Sequence, residues 1–200
     1  MQIIHYPHPT LRRVSQPVRR VDAQLRAIAA EMLELMYAAQ GVGLAANQVD
    51  LPLRLFVVNL AGKAGEGEEL VFLNPVLRHP KGTSEREEGC LSMPAIYADV
   101  KRPERITLQA YDLAGNEVNL QLSGMLARVV QHEVDHLDGV LFIDRLSATG
   151  AMTVREGLEE LERAFSALAE RGEAPGSAEL AARWAELEQR YCRRPRQETG

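Results

Sequence analysis

Gln131-His132-Glu133-Val134-Asp135-His136 is the stretch on which the reading of this chain turns. It has the form H-E-x-x-H. Two histidines four apart fall on one face of a helix, about 6 Å apart along an axis that rises about 1.5 Å per residue. Imidazoles so placed can converge on one metal ion. Glu133, beside the first of them, can reach a water held there and take its proton. A catalytic site of this kind takes three protein ligands and keeps one position open. The rest of the chain therefore has to supply the third ligand.

The helix that carries the stretch starts near Ser123-Gly124 and stops at Asp138-Gly139, a C-terminal signal. Leu126, Val129, Val130, Val134 and Leu137 make it apolar enough to be central. Met125, Arg128 and Val129 share the His132 face and would line a cavity beside the site, with Arg128 laying its stem over the pocket and keeping its charge in water.

For the third ligand, Glu87-Glu88-Gly89-Cys90-Leu91-Ser92-Met93-Pro94 places a cysteine at a turn. A lone cysteine is also at home as an inert small hydrophobe. Glu87 and Glu88 disfavour a thiolate unless a cation compensates, and a divalent metal would do so. Cys90 is the best candidate. Cys192, in a polar tail near Arg190, Arg193 and Arg194, is much weaker, and two cysteines make no disulfide framework, which points to a reducing, cytoplasmic setting.

Gly41-Val42-Gly43-Leu44-Ala45-Ala46-Asn47-Gln48-Val49 supports two readings. It is not the phosphate-binding G-x-G-x-x-G, since the third glycine is missing and no strand precedes it. It is either a tight turn packed on the core or a segment whose glycines bring backbone close to a ligand. In the second reading Gln48 aims an amide N–H at a reacting oxygen.

The 200 residues fit one domain with a real core, and the formal charge of −5 gives no global reason to expect nucleic-acid binding. No apolar run has the length of a membrane span, and no signal peptide is visible at Met1–Pro7. Asp22 caps a helix to about Ala39, with Leu25, Ile28, Ala29, Met32, Leu33 and Met36 on one face, stopped by Gln40-Gly41. Leu53–Leu60 and Leu70–Arg78 read as strands, Pro75 marking an edge position or a break in the second. Arg105–Tyr111 and Glu117–Leu122 form a hairpin through Asp112–Asn116, and Val140–Ile143 is a strand or a buried turn. A capping-box spacing at Thr153–Glu156 opens a helix to about Ala169. Gly172–Ser177 breaks the chain, Ala178–Tyr191 is a last amphipathic helix, and residues 193–200 are expected to be disordered. Both C-terminal stripes either pack on the domain or dock a partner. The fold class expected is α+β, a central metal-binding helix surrounded by antiparallel sheet, with an N-terminal helix and a C-terminal helical extension.

Three separated segments together resemble one family. Gly41–Gln48, Glu88-Gly89-Cys90-Leu91-Ser92 and Gln131–His136 look like the three signature motifs of peptide deformylases. The absence of a long insertion between the first two resembles the type I, bacterial or organellar, branch. The resemblance covers residues 1–150, taken as the catalytic domain, and leaves 151–200 as the extension. It implies Cys90, His132 and His136 as ligands of one Fe2+, replaceable by Ni2+, Co2+ or Zn2+. It implies hydrolysis of the formyl group from the N-terminal formylmethionine of new polypeptides, with Glu133 as base. Gln48 and the Leu91 backbone N–H would hold the oxyanion. The peptide would pair with backbone at Val42, Gly43 and Leu44, near Gly89, its methionine entering a pocket walled by Leu91, Met125 and Val129, where Arg86 and Arg128 depart from the aliphatic residues often found at the matching positions of the family. Asp135 and Arg102 would form an ion pair bracing the helix. The partners implied are N-formylmethionyl nascent chains and, from the arginine-rich segment 183–196, the ribosome, with no direct DNA or membrane binding. Two other function classes share parts of the pattern. An H-E-x-x-H zinc peptidase would take its third ligand downstream, where Asp144 is the tempting carboxylate. A non-catalytic metal or redox-sensing module would close the site with four protein ligands.

Overall fold

The computed structural model describes residues 1–192. Its order is α1 (Ala23–Ala38), β1 (Gly43–Ala45), β2 (Leu55–Val58), β3 (Leu70–Lys81), β4 (Ser84–Cys90), β5 (Met93–Arg102), β6 (Arg105–Tyr111), β7 (Glu117–Ser123), α2 (Gly124–Leu137), α3 (Ala148–Glu170) and α4 (Ser177–Tyr191). The class is α+β. A five-stranded antiparallel sheet runs β1-β2-β3-β6-β7, and β4 and β5 form a separate two-stranded ribbon. No described helix is long and apolar enough to cross a membrane.

Period-two alternation explains how the larger sheet sits. Leu44, Leu55, Val57 and Leu73 pack with Leu25, Met32 and Met36 of α1. Ala45, Phe56, Val58 and Phe72 pack with Val129, Val130, Val134 and Leu137 of α2. The sheet is thus held between two helices, and β2 is buried at all four residues. On its other side α2 meets the β4–β5 ribbon, whose Glu88 and Arg102 reach His132 and Asp135, so antiparallel strands flank this central helix as expected. Asp22 caps α1 by accepting from the Leu25 N–H, and Gln40, not Gly41, takes the left-handed position that ends it (φ 56°).

Pro75 does not lie on an edge, because β3 is flanked by β2 and β6. The register shifts between Leu73 and Val76, and Asn74 turns to a positive φ of 52°, so the proline sits in a bulge. Pairing resumes to Lys81, making β3 longer than expected. The β4–β5 ribbon was read only as a turn at its tip. Its inward side on β5, Met93, Ile96, Ala98 and Val100, builds a third core with Leu11, Phe142 and Val154. Val140–Ile143 is no strand: Leu141 and Phe142 are buried and Phe142–Arg145 is a single 3-10 turn.

The first C-terminal helix begins earlier than the Thr153–Glu156 spacing indicated. Ser147 caps it by accepting from the Gly150 N–H, and Thr153 donates to the Gly150 carbonyl from inside the helix. Both C-terminal helices pack on the body. α3 lies on β5 through Val154, and α4 buries Leu180 and Tyr191. The Trp184 indole donates to Thr10 Oγ1 (3.3 Å) under the Arg13 guanidinium, and the Arg19 N–H donates to the Tyr191 carbonyl (2.7 Å). Arg183 pairs with Asp50 (2.6 Å) and Arg190 with Asp22 (3.5 Å), so these two arginines of the 183–196 segment are engaged within the chain. The expectation of disorder at 193–200 lies outside the described residues.

Candidate active site

Three elements meet at one place. α2 presents His132 and His136 from successive turns, and β4 ends in Cys90 at the ribbon tip. The donor atoms of Cys90, His132 and His136 all lie within 4.8 Å of one another, with Cys90 Sγ and His136 Nε2 3.2 Å apart. One thiolate and two imidazoles on a shared focus suit a divalent transition metal. Asp144, the downstream alternative, is held by Arg12 and by the Leu141 N–H.

The 3-10 turn Ala46–Val49 follows β1 and delivers Gln48 into this centre. Its Oε1 accepts from the Ala45 N–H (2.8 Å), which fixes the amide so that Nε2 points inward, 3.2 Å from Ser92 Oγ and 3.5 Å from Cys90 Sγ. Asn47 Nδ2 donates to the His136 carbonyl (2.5 Å), tying the same turn to α2.

Glu133 is buried, and its Oε2 has no hydrogen-bond partner. Burial is the main reason its carboxyl is pushed up to about 7; the nearby His132 and Arg102 charges oppose that rise. Burial also drives His136 well below the usual imidazole range, leaving it in the neutral form that offers a lone pair. For His132 burial works the same way but is outweighed by hydrogen bonds to Cys90 and Glu88, which hold the ring at about 10. A metal arriving here has to displace that proton.

The ion pair expected between Arg102 and Asp135 is present, Nη1 donating at 2.7 Å. It belongs to a larger buried array. Arg102 also donates twice to Glu88 (2.6 and 2.8 Å), whose Oε2 lies 3.1 Å from His132 Nδ1, and Arg145 holds Asp135 from outside. Glu88 therefore orients the His132 imidazole and is itself oriented by arginines. Sequence reading missed this role and took Glu88 only as a charge unfavourable to a thiolate. The available signal was its spacing: two residues before Cys90 on a strand, it shares that residue's face. Ser92 was missed as well; it accepts from Gln48.

Beside the donors lies a cavity of about 630 Å3. Val42, Gly43, Gln48, Gly89, Leu91, Met125, Arg128 and Val129 line it, together with His132 and Glu133. Of the candidate peptide-binding residues, Leu44 alone turns its side chain away, into the core under α1. Met125 sits at the mouth, 52% exposed. Arg128 does not keep its charge in water as expected. Its guanidinium is buried against Glu88 Oε1 (2.5 Å) and the carbonyls of Val100 and Ser84, because the acidic ribbon offers it partners that outweigh hydration.

A family model described as polypeptide deformylase matches residues 1–151. The sequence is 52% identical over 191 residues to the peptide deformylase of Rhodopirellula baltica, across 96% of this chain and 95% of that one. It is 45% identical over 166 residues to the chloroplastic peptide deformylase 1B of Oryza sativa, across 82% of this chain and 62% of that one. The crystal structure of Arabidopsis thaliana peptide deformylase 1B superposes with a TM-score of 0.81 at 39% identity, covering 88% of this chain and 97% of the other.

Proposed function

The chain belongs to the polypeptide deformylase family, and from that premise we propose which of its residues perform the reaction and how. The activity is removal of the formyl group from the N-terminal formylmethionine of new polypeptides, with release of formate, and it depends on a metal. The observation that carries the assignment of roles is the focus of Cys90, His132 and His136 beside the unpartnered, buried carboxylate oxygen of Glu133.

Cys90, His132 and His136 would hold the ion, proposed as Fe2+, with Ni2+, Co2+ or Zn2+ able to take its place. Bound there, a divalent ion supplies Lewis acidity to the formyl oxygen and makes water a nucleophile near neutral pH. Glu133, with a carboxyl poised near 7, accepts the proton of the attacking water and returns it to the amine as the C–N bond breaks. Gln48 Nε2, its amide fixed from the Ala45 side, donates to the oxygen as charge develops there; the Leu91 backbone N–H is the second donor. β1 is the end strand of its sheet, paired with β2 on one side only, so an extended peptide can add along Val42–Leu44 opposite Gly89. The methionine side chain then enters the cavity between Leu91, Val129 and Arg128. The bacterial relative supports placing this work in the cytoplasm, on chains leaving the ribosome; co-sedimentation of the full chain with ribosomes at low salt measures that contact.

The test is formate release from a short formylmethionyl peptide, with protein purified without oxygen and loaded separately with Fe2+, Ni2+ or Zn2+. The expected result is turnover that a chelator abolishes and that Glu133→Ala lowers by several orders of magnitude while metal content stays at one per chain. Turnover in Glu133→Ala equal to the parent would overturn the role of the base. Metal retained by Cys90→Ala with casein hydrolysis would favour the peptidase reading instead.

A further inference from the structure

Arg128 is the one charged residue among the side chains proposed to wall the methionine pocket. It lies on the His132 face of α2, 5% exposed, and it lines the cavity. Its two terminal nitrogens are engaged: Nη1 donates to Glu88 Oε1 and to the Val100 carbonyl (3.0 Å), Nη2 to the Ser84 carbonyl (2.7 Å). A guanidinium carries five N–H donors, and these bonds use three. Nε has no partner among the described residues, nor is it one of the fully enclosed unpartnered atoms. By covalent geometry it is the nitrogen next to the methylene stem of a residue that lines the cavity.

We propose that the Arg128 Nε–H is a hydrogen-bond donor to the substrate's first side chain, and that the pocket thereby accepts N-formyl-methionine sulfoxide peptides as a second substrate class. This rests on the deformylase reading of the same site. Val129 and Leu91 give the pocket its apolar walls. Oxidation turns a flexible apolar thioether into a polar sulfoxide. A wholly apolar pocket rejects that group, since its oxygen would lose water and gain nothing. Opposite a charged N–H, the oxygen gains a hydrogen bond of the stronger, charge-assisted kind. The thioether sulfur of methionine is a weak acceptor, and norleucine, of the same length, offers none. The order of fit therefore follows the acceptor on the side chain as well as its length.

The experiment compares kcat/KM of the metal-loaded enzyme on three formyl peptides that differ only in the first residue: methionine, methionine sulfoxide and norleucine. The expected result is sulfoxide within about tenfold of methionine and norleucine below methionine, a hydrogen bond to a charged group being worth about tenfold or more. Arg128→Lys keeps a cation toward Glu88 but has no N–H at the base of a fork. It should lower the sulfoxide-to-methionine ratio by about tenfold or more. Arg128→Ile should do the same, and because ratios are read, a general loss of rate in either variant does not imitate the effect. Should both variants fail to fold, the wild-type ratios decide. Sulfoxide more than about a hundredfold below methionine, with norleucine equal to methionine, would overturn the proposal. So would a ratio unchanged in Arg128→Lys. Wild-type enzyme inert on all three peptides would sink the deformylase reading itself, a distinct outcome.

Discussion

Replacing Gly43 by alanine puts one methyl group into the contact that joins β1 to α2. A Cβ at this position would meet Glu133 Oε1 well inside van der Waals distance, Val129 Cγ1 at 2.8 Å and Glu133 Cδ at 3.0 Å. The backbone itself does not object: Gly43 pairs with Val58 in a regular strand and has no positive φ. The conflict is steric only, and its relief requires Glu133 or β1 to move by on the order of 1 Å, a misplacement that costs about 100-fold in rate. That corresponds to about 2.7 kcal/mol of transition-state stabilisation. Cys90, His132 and His136 are not among the atoms nearest the added methyl, so metal content should stay at one per chain. The assay is formate release under saturating formylmethionyl peptide, with metal analysis and thermal unfolding on the same sample. A kcat within twofold of the parent, at unchanged metal content and melting temperature, would refute the claim that the Gly43–Glu133 contact sets the position of the base.

Arg102→Ala removes a buried guanidinium from both Glu88 and Asp135. Breaking a buried pair typically costs about 3–5 kcal/mol, and Arg128 and Arg145 remain as partial substitutes, so the lower end is expected. Calorimetry should show a melting temperature lower by roughly 10 °C for a chain of this size, with weaker metal retention in a chelator competition. Glu88 has its own pH signature. Burial alone would raise its carboxyl, but hydrogen bonds from His132 and Arg102 prevail and lower it from 4.5 to about 2. Its contribution to stability is thus fully present above about 4.5 and lost as pH falls toward about 2. Urea unfolding of metal-free protein across that window should be steeper in pH for the parent than for Glu88→Gln; equal slopes would contradict the array. Ala95 takes a positive φ of 60° in β5, so Ala95→Gly should raise stability, by about 0.5–1 kcal/mol in denaturant titration.

What the sequence made legible followed from periodicity. α1 and α2 have clean apolar faces at helical spacing, and the β6–β7 hairpin alternates across a turn marked by Gly115. The metal focus was legible too, because histidines four apart need only a helix to meet. The β4–β5 ribbon was not. Ser84–Cys90 is charged along most of its length, and its one buried acid, Glu88, faces arginines 14 and 40 residues away. Polar pairing across such distances leaves no local pattern. Arg128 was misjudged for the same reason: its partners come from the ribbon, so exposure could not be read from α2 alone. At the third helix, Thr153–Glu156 imitated a cap, while Ser147 did the capping without the acidic residue that completes the usual signature.

The docking of α4 has a consequence for how the chain reaches its working form. Trp184 and Thr10 are 174 residues apart, and Arg13 and Glu188 are 175 apart, so these contacts close loops nearly as long as the described chain. Contacts of such high contact order are entropically the last to reward the chain. They are made on the segment that also grips Asp50, two residues beyond Gln48. During refolding, helix and sheet content should therefore recover ahead of turnover, the final latching of α4 against Thr10 and Asp50 setting the turn that holds Gln48. The same latch is the natural first step of unfolding: a sub-global opening in which amides of α4 exchange with solvent while the sheet between α1 and α2 remains protected.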